Sequence, residues 1–230
     1  MRLGFTRFIK ILFSSFFIQT SWSFFSMQGM GFLFTLVSGV EKNQRDKIRK
    51  THKGFFNTHP YMSSYIIGAT IRAYDEGKSS PDEIKRFITI TQTSFASAGD
   101  ILFWQTIRPA LLLVATILSI KLGIIGPIIF IVVYNIFHLY HRIKGIKDGY
   151  NIGWDVIYLL KSKRFTTVQH IFEILGAFFS GLLFSLAALK INYLLLIPLT
   201  LLFTVLLIKR FWSVLIIITV ILLLIIMVMV

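Results

Sequence analysis

The chain has 230 residues, of which 55% are hydrophobic, and it carries a net charge of +14 and no cysteine. This composition is too apolar for an ordinary soluble domain and is typical of a polytopic membrane protein, while the absence of cysteine excludes disulfides and thiolate metal sites. The basic residues lie in polar segments beside apolar ones, so we expect them to face anionic lipid and not nucleic acid.

The N-terminal half is predicted to contain broken or re-entrant helices. Residues 5–40 are apolar but rich in Ser, Thr, Gln and Gly, which favours an amphipathic or re-entrant helix pair over a simple span. Residues 41–53 follow as a basic, solvated connection, and residues 61–75 are predicted to be helical with small side chains that allow close packing.

A helix start is predicted at Ser80. Its hydroxyl can cap the helix, Pro81 suits the first helical position, and Glu83 at the third position can complete a capping box. Residues 84–98 are therefore predicted to be helical, with many Ser and Thr side chains.

The C-terminal half is predicted to cross the membrane repeatedly, because about 20 apolar residues span a bilayer. Residues 138–170 are basic and are predicted to form a loop. Lys121 and Gly126-Pro127 are predicted to form a break in the first of the spans. The predicted spans are 110–134, 171–189, 193–208 and 211–230.

The basic segments also predict an orientation. Because Lys and Arg mark cytoplasmic loops, 41–53 and 138–170 are placed in the cytoplasm and the C-terminus outside. The predicted fold class is an all-α polytopic integral membrane protein. Residues 1–230 form a single membrane domain, in which 1–109 is a polar, broken-helix region for substrate or partner and 110–230 holds transmembrane helices.

A cluster of polar side chains stands at Phe55–Tyr61, which reads Phe-Phe-Asn-Thr-His-Pro-Tyr. Polar groups at membrane depth must be paired or face water, since an unpaired one costs several kcal/mol. Pro60 removes a backbone donor and disfavours helical geometry at His59. A broken polar segment of this kind is typical of a binding site or an aqueous path.

The order and spacing of several motifs resemble the IID component of the mannose/fructose/sorbose family of the phosphotransferase system. The resemblance extends from about residue 16 to the last spans. The motifs that carry it are Gln19–Trp22, Met27-Gln28, Gly31-Phe32, Phe55–Tyr61, Gly99–Pro109, Gly126-Pro127, Asn135, Gly149-Tyr150 and Gly153.

The resemblance implies a multi-pass subunit of the bacterial inner membrane that forms a channel for a hexose-type sugar together with a IIC subunit. Soluble IIA and IIB proteins would carry the phosphohistidines, and the sugar would be phosphorylated as it reaches the cytoplasm. It therefore implies no phosphohistidine, no catalytic residue, no cofactor and no metal in this chain.

The chain also departs from the family pattern. The family has Trp-Asn-x-Glu-Arg-Met-Gln where Trp22–Gln28 reads Trp-Ser-Phe-Phe-Ser-Met-Gln, and Gln92–Ala98 lacks the family's Gly and Pro. A second proline of the family is Tyr65 here. The main prediction remains the transporting subunit, and these changes leave open one alternative, a non-transporting regulatory or sensory membrane protein derived from the same family.

Asn57, Thr58 and His59 are the candidate substrate-binding or path-lining residues. Amides and imidazoles both donate and accept hydrogen bonds, as recognition of sugar hydroxyls requires. The same groups can instead cap broken helices, with Pro60 in a structural role. The sequence leaves both interpretations open.

A second group of candidates follows Gly99. Asp100 and Arg108 are expected to pair with each other or with a partner subunit, because intramembrane charges are usually paired. Trp104 lies between them and is either a stacking surface for a sugar ring or an interfacial anchor.

Trp22 and Gln28 are expected to pack against the partner subunit, with a position along the transport path as the alternative. The histidines near the basic segments are predicted to be solvated or to face lipid headgroups. No metal site is predicted, since the pair His138 and His141 has no carboxylate or cysteine cluster nearby. The histidines concerned are His52, His138, His141 and His170.

Overall fold

Nine α-helices occur in the part of the chain that the computed structural model describes, residues 3–188, 196–209 and 211. No strand occurs in these ranges, so the predicted all-α class is confirmed for them. The helices are α1 Phe5–Phe16, α2 Gly29–Gly39, α3 Arg45–Thr51, α4 Ser63–Glu76, α5 Pro81–Gly99, α6 Arg108–Leu122, α7 Ile125–Ile152, α8 Lys163–Ala188 and α9 Leu196–Ile208.

Two helical stretches of the described residues are long and apolar enough to cross a membrane. They are Pro81–Leu122, with 42 residues, and Phe165–Leu186, with 22. The four predicted spans therefore remain a prediction, and residues 212–230 of the last one lie outside the described residues. Within 110–134 the helix breaks at Gly123, where φ is 56°, which lies between the Lys121 and Gly126-Pro127 of the predicted break.

The prediction of a basic loop at 138–170 is wrong. Helix α7 continues to Ile152, a 3-10 segment occupies Gly153–Lys161, and α8 begins at Lys163. Basic residues lie on both faces of this helix, since Lys147 is exposed whereas Arg142 is buried. Lys144 also pairs with Asp148 at 2.7 Å, a spacing of four residues that supports helix.

The connection 41–53 is likewise more structured than predicted. It holds a short 3-10 turn, Lys42–Gln44, followed by α3. Ile48 on α3 is fully buried and anchors this helix, while Lys47, Arg49 and Lys50 remain exposed. The segment is solvated as predicted, but only on one face.

The predicted start of α5 is confirmed. The Ser80 hydroxyl accepts from the Glu83 amide at 3.3 Å, and the Glu83 carboxylate accepts from the Ser80 amide at 2.7 Å. Pro81 occupies the start of the helix. Three residues thus fix this end locally.

The described chain forms two compact units. The first contains the residues up to Leu102 and Asn135–Phe165, and the second contains Phe103–Tyr134 and the residues from Thr166 onward. The division follows contacts and not chain order. The prediction of one membrane domain divided near residue 109 is not tested by it and stays a prediction.

In the first unit, α4 and α7 approach each other through glycines. A Cβ on Gly149 would lie 2.2 Å from the Tyr65 carbonyl oxygen, and one on Gly68 would lie 2.5 Å from the Ile146 carbonyl oxygen. Gly145 and Gly149, four residues apart, form the small-residue stripe that allows two helix backbones to pack closely.

An ion pair and a hydrogen bond to the same carboxylate join three helices at the C-terminal end of α4. Both terminal nitrogens of Arg7 donate to the Asp75 carboxylate, at 2.7 and 2.6 Å, and the Tyr150 hydroxyl donates to it at 2.7 Å. The Asp75 side chain is only 3% exposed. Three donors satisfy this buried charge and tie α1 and α7 to α4.

In the second unit, α8 packs against α9. A Cβ on Gly181 would lie 2.8 Å from the Thr200 carbonyl oxygen, and the rings of Phe184 and Phe203 stack at 4.1 Å. Helix α6 packs as closely against the start of α7 at Gly126.

Candidate functional site

The candidate site is the extended segment between α3 and α4 in the first unit. Phe56 begins it and is buried, with its ring stacked on Phe32 at 3.8 Å. Its end is the start of α4, where the His59 carbonyl accepts from the amides of Met62 and Ser63, each at 3.0 Å. Pro60, which is buried, cannot donate within this turn.

Gln28 at the N-terminus of α2 pairs with the backbone of this segment. Its side-chain nitrogen donates to the Thr58 carbonyl at 2.8 Å, and its side-chain oxygen accepts from the Thr58 amide at 3.3 Å. Its own amide donates to the Phe56 carbonyl at 2.8 Å. The side chain is 3% exposed, so it replaces water for two buried backbone groups.

Gln92 on α5 holds the segment from another side. Its side-chain oxygen accepts from the backbone amide of Asn57 at 3.1 Å, and its backbone carbonyl accepts from the Thr58 hydroxyl at 2.9 Å. The two glutamines thus satisfy the backbone amides of Asn57 and Thr58 and the carbonyl of Thr58 without a helix or a sheet. The sequence identified Gln92 only as a departure from the family pattern and missed this contact.

His59 lies against α5, where only glycine leaves room for it. It is 1% exposed, and a Cβ on Gly99 would lie 2.3 Å from the His59 Cβ. Its ring meets Tyr61 edge to face at 4.9 Å. The adjacent Asn57 is exposed, so this segment presents an amide to its surroundings and keeps Thr58 and His59 inside.

The remaining predicted residues lie elsewhere. Trp22 is 55% exposed in the loop between α1 and α2. Asp100 begins a π-helical segment that ends at Ile107, and Arg108 opens α6. Trp104 belongs to the second unit and is 46% exposed. The ion pair between Asp100 and Arg108 and the stacking role of Trp104 stay predictions.

Two of the histidines predicted to be solvated or to face lipid headgroups are buried instead. His52 and His141 are buried and His138 is half-buried, whereas the His170 side chain is 70% exposed. The predicted exposure of these histidines is wrong for the same reason as the predicted loop at 138–170. Basic neighbours in the sequence do not show which face of a helix is buried. Among the described residues, no three His, Cys, Asp or Glu side chains form a group that could hold a metal.

The burial of His52 predicts a pH dependence of stability. Its Nε2 lies 2.7 Å from the Tyr74 hydroxyl, and burial, aided by the charge of Lys85, lowers the pKa of His52 from 6.5 to about 4. The unfolded chain therefore binds a proton first, and stability is lost as the pH falls from 6.5 to 4. The full loss is roughly 3 kcal/mol.

Chemical unfolding of the purified protein between pH 7.5 and 4.5 measures this effect. Other buried histidines contribute to the same slope, so the comparison is with His52→Gln, which keeps a polar partner for Tyr74 without titrating. We expect the stability of the variant to fall less steeply with acid. Equal slopes would contradict the assignment to His52.

Comparison with known proteins identifies the family. The chain matches the model of the PTS system mannose/fructose/sorbose family IID component over residues 3–193. It is 30% identical over 176 residues to the mannose-specific EIID component of Escherichia coli K12, an alignment that covers 72% of this chain and 62% of that protein. It therefore spans under two thirds of that relative's length.

Two further matches agree in sequence and in fold. The fructose permease IID component of Bacillus subtilis 168 is 29% identical over 189 residues, which cover 76% of this chain and 69% of that protein. A solved structure of the mannose transporter ManYZ with microcin E492 matches with a TM-score of 0.62 at 22% identity, covering 93% of each chain. The structural match bears on the fold alone.

Proposed function

This chain belongs to the mannose/fructose/sorbose IID component family of the phosphotransferase system, and we propose that it forms a sugar translocation path together with a IIC subunit. The observation that carries the proposal is the extended segment at Asn57–Pro60. Gln28 and Gln92 hold it open, so its backbone needs no helix, and Asn57 remains available to a ligand.

The chemistry of this segment suits a neutral sugar. The side-chain amide of Asn57 offers both donors and an acceptor to hydroxyl groups, and it carries no charge that would cost free energy to bury. In this proposal Thr58 and His59 shape the site from inside. Trp104, in the second unit, is proposed by itself as a path-lining residue, while Trp22, Asp100 and Arg108 are proposed to have structural roles or to contact the partner subunit.

The proposed system includes partners that supply the phosphoryl chemistry. We propose that soluble IIA and IIB phosphocarriers act on the cytoplasmic side and that the transported substrate is a hexose-type sugar. The exposed basic side chains of α3 would face this side and its anionic lipid. The proposed location is the bacterial cell membrane, with several spans and the C-terminus outside.

Uptake and complex yield, measured together with a IIC partner, test the site. Asn57→Ala should lower sugar uptake tenfold to a hundredfold at unchanged yield, since a lost hydrogen-bonding partner costs about 1–3 kcal/mol. His59→Ala should lower both, because His59 is buried against α5. Asn43→Ala, which removes another exposed amide, is the matched control and should change neither.

Each other outcome has a distinct meaning. Normal uptake by Asn57→Ala would remove Asn57 from the site. A parallel fall of uptake and yield in Asn57→Ala would make it a structural residue. No uptake by the unmutated chain with any IIC partner would favour the non-transporting regulatory alternative.

A further inference from the structure

Arg142 is a buried cation in the first unit. It is 3% exposed, and among the described residues it takes part in none of the ion pairs. Hydrogen bonds replace a carboxylate, as a buried charge requires. One terminal nitrogen donates to the Ser15 carbonyl and to the Ser15 hydroxyl, the latter at 3.1 Å. Its Nε donates to Nε2 of His138 at 2.9 Å.

The contact between Arg142 and His138 determines the protonation of His138. A guanidinium only donates, so Nε2 of His138 must accept and carry no proton. The proton of the neutral ring then lies on Nδ1, which faces the Asn135 side-chain oxygen at 3.3 Å. A second proton would turn an N–H of His138 toward a cation at 2.9 Å, which breaks the hydrogen bond and adds charge repulsion.

The same two side chains support the candidate site. The His138 ring stacks on Tyr61 at 4.0 Å, and Tyr61 in turn meets His59 at 4.9 Å. The guanidinium carbon of Arg142 lies 4.8 Å from the ring centre of Phe16 and 5.7 Å from that of Tyr61. A chain of contacts thus runs from α1 through Arg142 and His138 to the segment that carries Asn57.

We propose that Arg142 and His138 are positioning residues for the Asn57–Pro60 segment, acting through Tyr61, and that protonation of His138 releases this support. The inference rests on the proposed function, because it assigns a pH response to the same site. The titratable groups that face His138 are Arg142 on its own helix and Tyr61 and His59 from the segment. Helix α1 contributes the uncharged ring of Phe16, which meets His138 edge to face at 5.9 Å.

The pH profile of sugar uptake tests the release. Uptake by the unmutated complex should fall as the cytoplasmic side is acidified. His138→Ala should lower uptake about tenfold or more at pH 7.5, because Arg142 loses a charged hydrogen bond. His138→Gln restores an acceptor that does not titrate, so it should recover part of the uptake and flatten the acid loss. His170→Gln replaces an exposed histidine and should show the same pH profile of uptake as the unmutated complex.

Equal uptake by His138→Gln and His138→Ala would overturn the inference. It would also be overturned if the uptake of His138→Gln fell with acid as steeply as that of the unmutated complex. Arg142→Lys should behave like His138→Ala, since an ammonium does not reproduce the planar fork that reaches both Ser15 and His138. Full uptake by Arg142→Lys would also contradict a positioning role.

Nitrogen NMR of the purified protein with ¹⁵N-labelled histidine tests the protonation without transport. The histidine signals that are present in the unmutated protein and absent from His138→Gln belong to His138. At neutral pH they should be those of a neutral ring with its proton on Nδ1. A proton on Nε2, or a charged ring, would overturn the inference. If the unmutated complex shows no uptake while the Nδ1 proton is found, the proposed function fails and the arrangement of Arg142 and His138 stands.

Discussion

Gln28→Ala is expected to destabilise the first unit by about 2–4 kcal/mol and to lower the yield of the complex together with uptake. The substitution leaves the amide and the carbonyl of Thr58 without their partner at a buried position. Each unsatisfied buried group costs about 1–3 kcal/mol. Thermal unfolding of the purified protein and the yield of the complex with a IIC subunit measure the effect.

Gln19→Ala is the matched control for this substitution. Gln19 is also a glutamine of the region between α1 and α2, but it is exposed. Its replacement should change stability by less than about 0.5 kcal/mol, as is usual at surface positions. Equal stability of the Gln28 and Gln19 variants would mean that Gln28 does not hold the segment open.

Gly149→Ala is expected to destabilise the protein by about 3 kcal/mol through a clash between two helix backbones. The added Cβ would lie 2.2 Å from the Tyr65 carbonyl oxygen and 3.0 Å from the Ala69 amide nitrogen. Neither atom can move without shifting α4 as a whole. The midpoint of thermal unfolding measures the loss.

Gly176→Ala provides the control within another helix. There an added Cβ would meet its nearest neighbour, the Cβ of Ala110, at 3.6 Å, which is an ordinary contact. Alanine favours a helix interior over glycine by about 1 kcal/mol, so this variant should be as stable as the unmutated chain or more stable. If Gly149→Ala were equally stable, the close approach of α4 and α7 would be wrong.

Local sequence signals account for the parts of the fold that were predicted correctly. The start of α5 depends on three adjacent residues, and the capping box forms as expected. Helix α4 occupies Ser63–Glu76 against the predicted 61–75. Pairing of the helices at 5–40 follows from their apolar faces, and α1 and α2 are packed together.

Contacts between distant residues explain what the sequence did not reveal. Gln28 and Thr58 are 30 residues apart, and Ser15 and Arg142 are 127 apart, so no local pattern joins either pair. A stretch rich in Lys and Arg resembles a loop until one knows that Gly145 and Gly149 pack against α4. The spacing of these two glycines was the available signal, and it predicts a helix interface.

The π-helical segment Asp100–Ile107 is a second feature beyond local prediction. Pro109 follows it and has no amide proton for the carbonyl four residues earlier, which favours a change of helical register before it. Because a π turn holds more residues than an α turn, the spacing of Asp100 and Arg108 does not by itself support the predicted pairing of the two side chains. Their roles therefore need direct mutagenesis.

In the proposed function, this chain and a IIC subunit together move sugar for phosphorylation. The most direct measurement is phosphoenolpyruvate-dependent formation of sugar phosphate by vesicles supplied with the soluble phosphocarriers. The chain and the IIC subunit are tested together and each alone. We expect sugar phosphate only when both are present, and its loss in Asn57→Ala at normal protein levels. Equal activity of the IIC subunit without this chain would contradict the proposed function.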